Sequence, residues 1–187
     1  MKTTKVSDLF EVHYGTNLEL VNLEECERTE KDSINFVSRT EKNNGVSAYV
    51  KKIPSFKPNL ANTISVAGGG SVLSTFYQKK EYYSGRDIYV LIPKKEYSER
   101  EMLFYSFCIR QNKYRYNYGR QANKTLKDIL IPFELPKSWD YLSIKKINTI
   151  NSKPVNKKVL KLNINKWRSF NLADLFFIEK GERLNKE

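Results

Sequence analysis

Thr63-Ile64-Ser65-Val66-Ala67-Gly68-Gly69-Gly70-Ser71-Val72-Leu73-Ser74-Thr75-Phe76-Tyr77 sets two β-branched and aromatic runs on either side of a glycine triplet. Runs of this composition, bounded by residues that favour turns, read as strands over Thr63 to Ala67 and Val72 to Tyr77. Working outward, the same pattern recurs at Leu9 to Tyr14, Ile34 to Ser38, Val46 to Lys51 and Asp87 to Ile92. Asn43-Asn44-Gly45, Pro54 to Asn59 and Ser84-Gly85 supply turn chemistry between them. A helix is expected from Ser98, where Ser98-Glu99-Arg100-Glu101 forms a capping box ahead of Met102, Leu103, Tyr105, Phe107, Cys108 and Ile109. A short helix or turn over Lys124 to Asp128 leads into Ile129-Leu130-Ile131-Pro132, a brief buried strand stopped by proline. Beyond Pro136 a modest helix is expected from Trp139 to Thr149, then a lysine-rich connector from Lys153 to Lys166. The fold class is therefore α+β: a mixed, mostly antiparallel sheet with a few flanking helices, followed by a short helix and a basic connector.

The chain also repeats its own opening. Val6-Ser7-Asp8-Leu9-Phe10-Glu11-Val12-His13-Tyr14-Gly15-Thr16-Asn17-Leu18 is echoed by Leu172-Ala173-Asp174-Leu175-Phe176-Phe177-Ile178-Glu179-Lys180-Gly181-Glu182-Arg183-Leu184. At a constant spacing, Asp, Leu, Phe, Gly and Leu recur identically, with Val/Leu and Val/Ile as conservative matches. The spacing is far longer than the roughly 20 to 50 residues of a solenoid repeat, so it points to tandem copies of a whole domain. The expected organisation is a domain over residues 1–138, a helix and connector over 139–166, and the start of a second copy over 167–187. Because that second copy stops after its opening motif, the chain is expected to be part of a longer protein.

Composition narrows the class. The 187 residues are 40% hydrophobic and 13% aromatic, a globular balance with enough length for one ordinary core and an appendage. No apolar run approaches the roughly 18 residues of a membrane span, and no signal-peptide core follows Met1-Lys2-Thr3-Thr4-Lys5, which leaves the cytoplasm as the expected location. Cys26 and Cys108 stand apart without metal-ligand spacing, so reduced thiols are expected. The formal charge of +12 is unevenly placed. Residues 39–127 carry seventeen basic against six acidic side chains, and residues 141–173 carry eight basic and none acidic. A field of this sign concentrates polyanions, and binding to duplex DNA through it should be strongly salt-dependent.

Four stretches, taken in order, resemble a known family: "DLFEVHYG" at the start, "TISVAGGGSVLSTFYQKKEYYSGRDIYVLIPK" in the centre, "MLFYSFCIRQNKYRYNYGRQ" in the helix and "LKDILIPFELP" at the exit. Together they are similar to a target-recognition domain of the specificity subunits of Type I restriction-modification enzymes, over about residues 3–138. Similar domains are fused to methyltransferases in single-chain restriction-modification enzymes. Residues 139–166, with Pro154 and many Asn, look short and broken beside the long pairing helix usual after the domain in Type I subunits, so both versions stay open. The resemblance implies sequence-specific reading of duplex DNA. It also implies a partner DNA methyltransferase subunit or domain, with a restriction subunit as a further partner, and no membrane association.

Reading the major groove takes Arg for guanine and Asn or Gln for adenine, supported by cations on phosphates. Arg110, Asn112, Lys113, Arg115, Tyr116, Asn117, Arg120 and Gln121 supply these types within twelve residues free of acid. A solvated helix end, its cations suiting the helix dipole, is the plainer account of that stretch. The second candidate is the connection Gln78 to Arg86, with Lys79, Lys80, Tyr82 and Arg86, which also reads as an ordinary polar hairpin. Lys51 and Lys52 are weaker supports for the same face, and Lys145 to Arg168 reads as a solvated connector. Catalysis finds no footing. Gly68-Gly69-Gly70 lacks the Gly-Lys-Ser/Thr of a phosphate-binding loop, and His13 is the only histidine. No Asp or Glu is followed two positions on by Lys, and no Pro-Pro dipeptide of a methyltransferase motif occurs. No cofactor, metal or catalytic residue is therefore expected. A basic RNA-binding accessory protein and a protein-assembly module without base readout remain as alternatives.

Overall fold

The computed structural model describes residues 2–116, 121–137, 139 and 167–176, and the chain divides into a unit over 1–141 and another over 142–187. Nine strands lie in the first unit: β1 Thr3–Lys5, β2 Phe10–Tyr14, β3 Ser33–Val37, β4 Val46–Lys51, β5 Thr63–Ala67, β6 Thr75–Gln78, β7 Tyr82–Ser84, β8 Ile88–Pro93 and β9 Leu130–Pro132. Two helices join them, the single turn α1 Val6–Leu9 and the longer α2 Glu99–Arg110. The strands make a four-stranded antiparallel sheet in the order β2-β8-β5-β6, a three-stranded sheet β4-β3-β7, and the pair β1-β9. The α+β class with mostly antiparallel pairing is what the sequence indicated. Among the described residues the one parallel pair is β3 with β7.

Layering explains the burial pattern. Ile64 and Val66 of β5 and Leu91 of β8 turn toward α2 and join Phe10, Met102, Tyr105, Ile109, Leu126 and Ile131 in one core. The opposite face of the same sheet carries Ala67, Ile88 and Val90, which pack on Val37 and Tyr82 of the three-stranded sheet. Every residue of β5 is consequently buried, as expected for a strand covered on both faces. A third cluster, Ile34, Phe36, Val50 and Tyr83, lies on the far face of the three-stranded sheet under Leu18, Leu20, Ile53 and Phe56. Ser98 caps α2 as its box predicts: its Oγ accepts from Glu101 N at 3.3 Å, and Ser98 N donates to the Glu101 carboxylate at 2.7 Å.

Two local expectations are corrected. The strand expected from Val72 begins only at Thr75, because Gly70 and Leu73 take left-handed backbone angles (φ 63 and 57) that drop the Leu73 side chain into the core. The Gln78 to Arg86 connection is not a hairpin loop: Tyr82–Ser84 crosses to the other sheet and pairs with Asn35, Phe36 and Val37. Over Lys124 to Asp128 the expected helix or turn is present as a turn running into the 3-10 segment Leu126–Asp128, tied back by Leu126 N to Ala122 O at 2.8 Å. The helix expected from Trp139 to Thr149 and the connector to Lys166 lie outside the described residues, apart from Trp139, which packs on Phe104.

In the second unit, α3 spans Leu172–Leu175, the counterpart of α1 residue for residue. Asp8 accepts from Lys5 N at 3.0 Å at the start of α1, and Asp174 accepts from Asn171 N at 3.2 Å at the start of α3. Among the described residues no helix is long and apolar enough to cross a membrane.

Candidate nucleic-acid interface

The interface candidates gather around β6, the edge strand of the four-stranded sheet, because α2 runs beside it. Near the helix start Glu99 pairs with Lys79 at 3.1 Å, and at the helix end the Arg110 guanidinium stands 5.8 Å from the centre of the Phe76 ring. From Arg110 the chain continues as a 3-10 segment, Gln111–Tyr116. Lys113 there forms an ion pair with Glu41, which lies in the connection between β3 and β4. That connection ends in the Asn43–Gly45 turn, held by Gln78 Nε2 donating to Asn44 O at 2.9 Å. The two stretches singled out in the sequence, the helix exit and the residues after β6, are thereby linked through the β3–β4 tip.

Beneath the tip, a polar groove of about 320 Å³ is lined by Arg28, Asn35, Asn43, Asn44, Tyr49, Gln78, Lys79 and Lys80, among others. Lys80 also borders an adjoining hollow with Lys31 and Lys52. Apart from this groove, Arg115, Tyr116, Gln121 and Thr125 form a second, more open depression. Tyr116 and Thr125 share a hydroxyl hydrogen bond of 2.8 Å, and Gln121 Oε1 accepts from Asn123 Nδ2 at 2.9 Å. The triplet Gly68 to Gly70 packs between these parts: Gly68 N donates to Asp87 O at 2.8 Å and Gly68 O accepts from Ala122 N at 3.0 Å. A Cβ on Gly68 would stand 2.6 Å from the Tyr89 ring, so the triplet serves close packing of the loop.

Not every predicted residue joins this face. Tyr82 is fully buried between the sheets, its hydroxyl 3.4 Å from Thr63 Oγ1, and burial holds that phenol well above its ordinary pKa. It belongs to the core and leaves the list of contacts; two neighbouring tyrosines between polar residues look the same in sequence whether they face in or out. Arg86 lies apart from Lys79 and Lys80, over the Phe36 side of the three-stranded sheet, where it pairs with Glu19 at 3.5 Å. Asn112 donates to Cys108 O at 3.0 Å, closing the C-terminal turn of α2, so its amide is committed to the helix. Asn117 and Arg120 lie outside the described residues. Lys51 and Lys52 are paired with Glu24 and Glu81.

The sequence analysis missed Arg28, which stands 6.0 Å over the Tyr49 ring, and Arg39, which pairs with Asp87 at 2.9 Å beside Gly69. It also passed over Asn35, Asn43 and Asn44. Asn43-Asn44-Gly45 was legible only as turn chemistry; nothing in the order of residues places it against Lys79.

The chain matches the Type I restriction modification DNA specificity domain over residues 1–140, three quarters of its length. The chain belongs to that family. Its fold is similar to the S subunit of a Type I restriction-modification system from M. genitalium, with 19% identity and a TM-score of 0.55, covering 80% of this chain and 40% of that one. It is similar as well to the HsdS subunit of Thermoanaerobacter tengcongensis, with 10% identity and a TM-score of 0.56, covering 80% of this chain and 37% of that one. A third similar structure, reported for complex assembly and conformational transition of the type I R-M system, shows 13% identity and a TM-score of 0.55, again over 80% of this chain and 38% of its match. No curated protein matches. The chain thus spans about 40% of the S subunits it resembles. Members of the specificity family are non-catalytic DNA-recognition components.

Proposed function

We propose that this chain is a sequence-reading module of a restriction-modification specificity subunit. It binds duplex DNA along the β6 edge and holds a partner DNA methyltransferase, and through it a restriction subunit, over the bound site. The observation that carries this reading is the set of cationic and amide side chains that the β6 edge brings together, Arg110, Lys113, the β3–β4 tip, Lys79 and Lys80, with Arg115 and Gln121 lining a separate depression, on a domain of the DNA specificity family. Cations on such a face hold phosphates and set affinity, while the amides and guanidinium groups discriminate base edges. Each base contact is worth about 1–3 kcal/mol of selectivity, and a phosphate contact weakens every sequence alike when removed.

The test is selection of duplexes from a randomised pool by the chain, alone and with its methyltransferase partner, with Arg115→Ala and Arg120→Ala beside the unaltered protein. An enriched motif whose information falls in the variants supports the reading. Binding that is blind to sequence, or that is displaced by RNA as readily as by duplex DNA, overturns it.

A further inference from the structure

We propose that the β3–β4 tip enters the major groove and that Asn44 reads an adenine there through its side-chain amide. The inference rests on the duplex-recognition reading above and names one residue that discriminates among sequences. β3 and β4 are antiparallel neighbours in the three-stranded sheet, and their connection over residues 38–45 continues past the last β3–β7 pair, Val37 with Ser84, as a narrow two-chain tip of the kind the major groove of B-form DNA admits. At its end Asn43, Asn44 and Gly45 all take left-handed backbone angles (φ 46, 54 and 83), which turn the chain sharply outward. The turn is fastened from every side. Gly45 is buried against Phe76 and Val37, Gly45 N donates to Lys42 O at 2.9 Å, and Asn43 Nδ2 donates to Val46 O at 3.1 Å. Below it, the buried Gln78 amide donates both to Asn44 O and to Ser65 Oγ, each at 2.9 Å.

Most polar side chains of the tip are already engaged. Arg39 is held by Asp87, Glu41 by Lys113 and Asn43 by Val46. Among the described residues, the Asn44 amide and the Lys42 ammonium make no hydrogen bond or ion pair, and both residues are exposed. An amide with both its donor and its acceptor free, carried on a pinned backbone, matches the N7 and N6 pair of adenine, and Lys42 beside it suits the adjoining phosphate. Lys79, Lys80 and Arg28 across the groove supply the cations that would hold the flanking backbone. Preorganisation matters because a backbone already fixed in the turn leaves only the side-chain torsions of Asn44 to be ordered on binding.

The experiment compares the full chain with Asn44→Gly and Asn44→Ala on the motif selected by the unaltered protein, and on the same duplex with 7-deaza-adenine at each adenine in turn. Asn44→Gly keeps the left-handed turn without strain, so a folded protein is assured even where Asn44→Ala is unstable. The expected result is a loss of preference for adenine at one position, about 5- to 150-fold, with unchanged salt dependence. The 7-deaza substitution at that position should weaken the unaltered protein and leave Asn44→Gly indifferent. Retention of the same motif at the same strength by Asn44→Gly overturns the assignment while leaving duplex recognition standing. Selection of no motif by the unaltered protein overturns both.

Discussion

Gln78 joins the core to the β3–β4 tip, and replacing it by its acid isostere puts that joint to a quantitative test. Gln78 is buried, and its amide nitrogen donates to Asn44 O and Ser65 Oγ. In Gln78→Glu the group 2.9 Å from Asn44 O becomes a carboxylate oxygen when ionised, so two acceptors face each other in a site shielded from water. Burial and this clash both disfavour the charged form, so the carboxyl of the variant is raised above the roughly 4.3 of an unfolded glutamate. The sign follows from linkage. Below about pH 4 the carboxyl is protonated in folded and unfolded chains alike, its O–H can donate to Asn44 O, and the variant is close to the unaltered protein. As the pH rises past that value only the unfolded chain releases the proton easily, and stability drains away until the raised folded value is passed. The deficit should reach about 3–4 kcal/mol at pH 8, against about 2–3 kcal/mol at any pH for Gln78→Ala, which loses two hydrogen bonds and leaves a small void. For a domain of this size these correspond to melting shifts on the order of 10 °C and somewhat less. Thermal and urea unfolding from pH 4 to pH 8, each variant referred to the unaltered protein at the same pH, measures the difference directly. A deficit for Gln78→Glu that does not change with pH would refute the pinned geometry of the tip.

Lys79→Ala and Lys80→Ala should each flatten the slope of log affinity against log salt by about 0.9 without altering the selected motif, as followed by duplex binding at several ionic strengths. Tyr82→Phe, in contrast, should leave that slope and the motif unchanged and cost under about 1 kcal/mol in unfolding experiments, since its hydroxyl reaches only Thr63 at 3.4 Å. Leu73→Ala should destabilise by about 2–4 kcal/mol, because the side chain is fully buried from a left-handed backbone that cannot readily shift it to close the void. Burial pushes the Cys108 thiol up to about 11, so at pH 8 its thiolate should be about 100-fold scarcer than that of an ordinary cysteine. Mass-resolved alkylation should therefore label Cys26 well before Cys108.

What could be read from the order of residues was what local chemistry decides. Val46 to Lys51 and Thr63 to Ala67 carry enough β-branched and aromatic character to appear at their predicted limits, and the Ser98 box starts α2 where its hydrogen bonds require. The misses share a cause: each turns on which face a residue shows to a partner distant in sequence. Tyr82 and Tyr83 are buried on opposite faces of the same short strand, one against Val37 and Ile88 and the other against Ile34 and Phe36, and only the parallel pairing with β3 determines this. Arg39 and Glu41 likewise are held in the β3–β4 connection by Asp87 and Lys113, 48 and 72 positions away in the chain.

The repeated opening shows the same division between local and distant causes within one molecule. Val6–Leu9 and Leu172–Leu175 both wind into a single helical turn, and in each an aspartate accepts from the backbone nitrogen three residues before it. That much is written in the motif itself, since an Asp at this position satisfies a donor the helix start leaves unpaired. Burial is not written there. Leu9 and Phe10 are buried because β8 pairs with Phe10 and because Tyr97 and Tyr105 close over its ring, whereas Leu175 and Phe176 stand more than half exposed. Burial of the Leu-Phe pair in the first unit therefore rests on partners that lie outside the motif, β8 and the aromatic pair at and before α2.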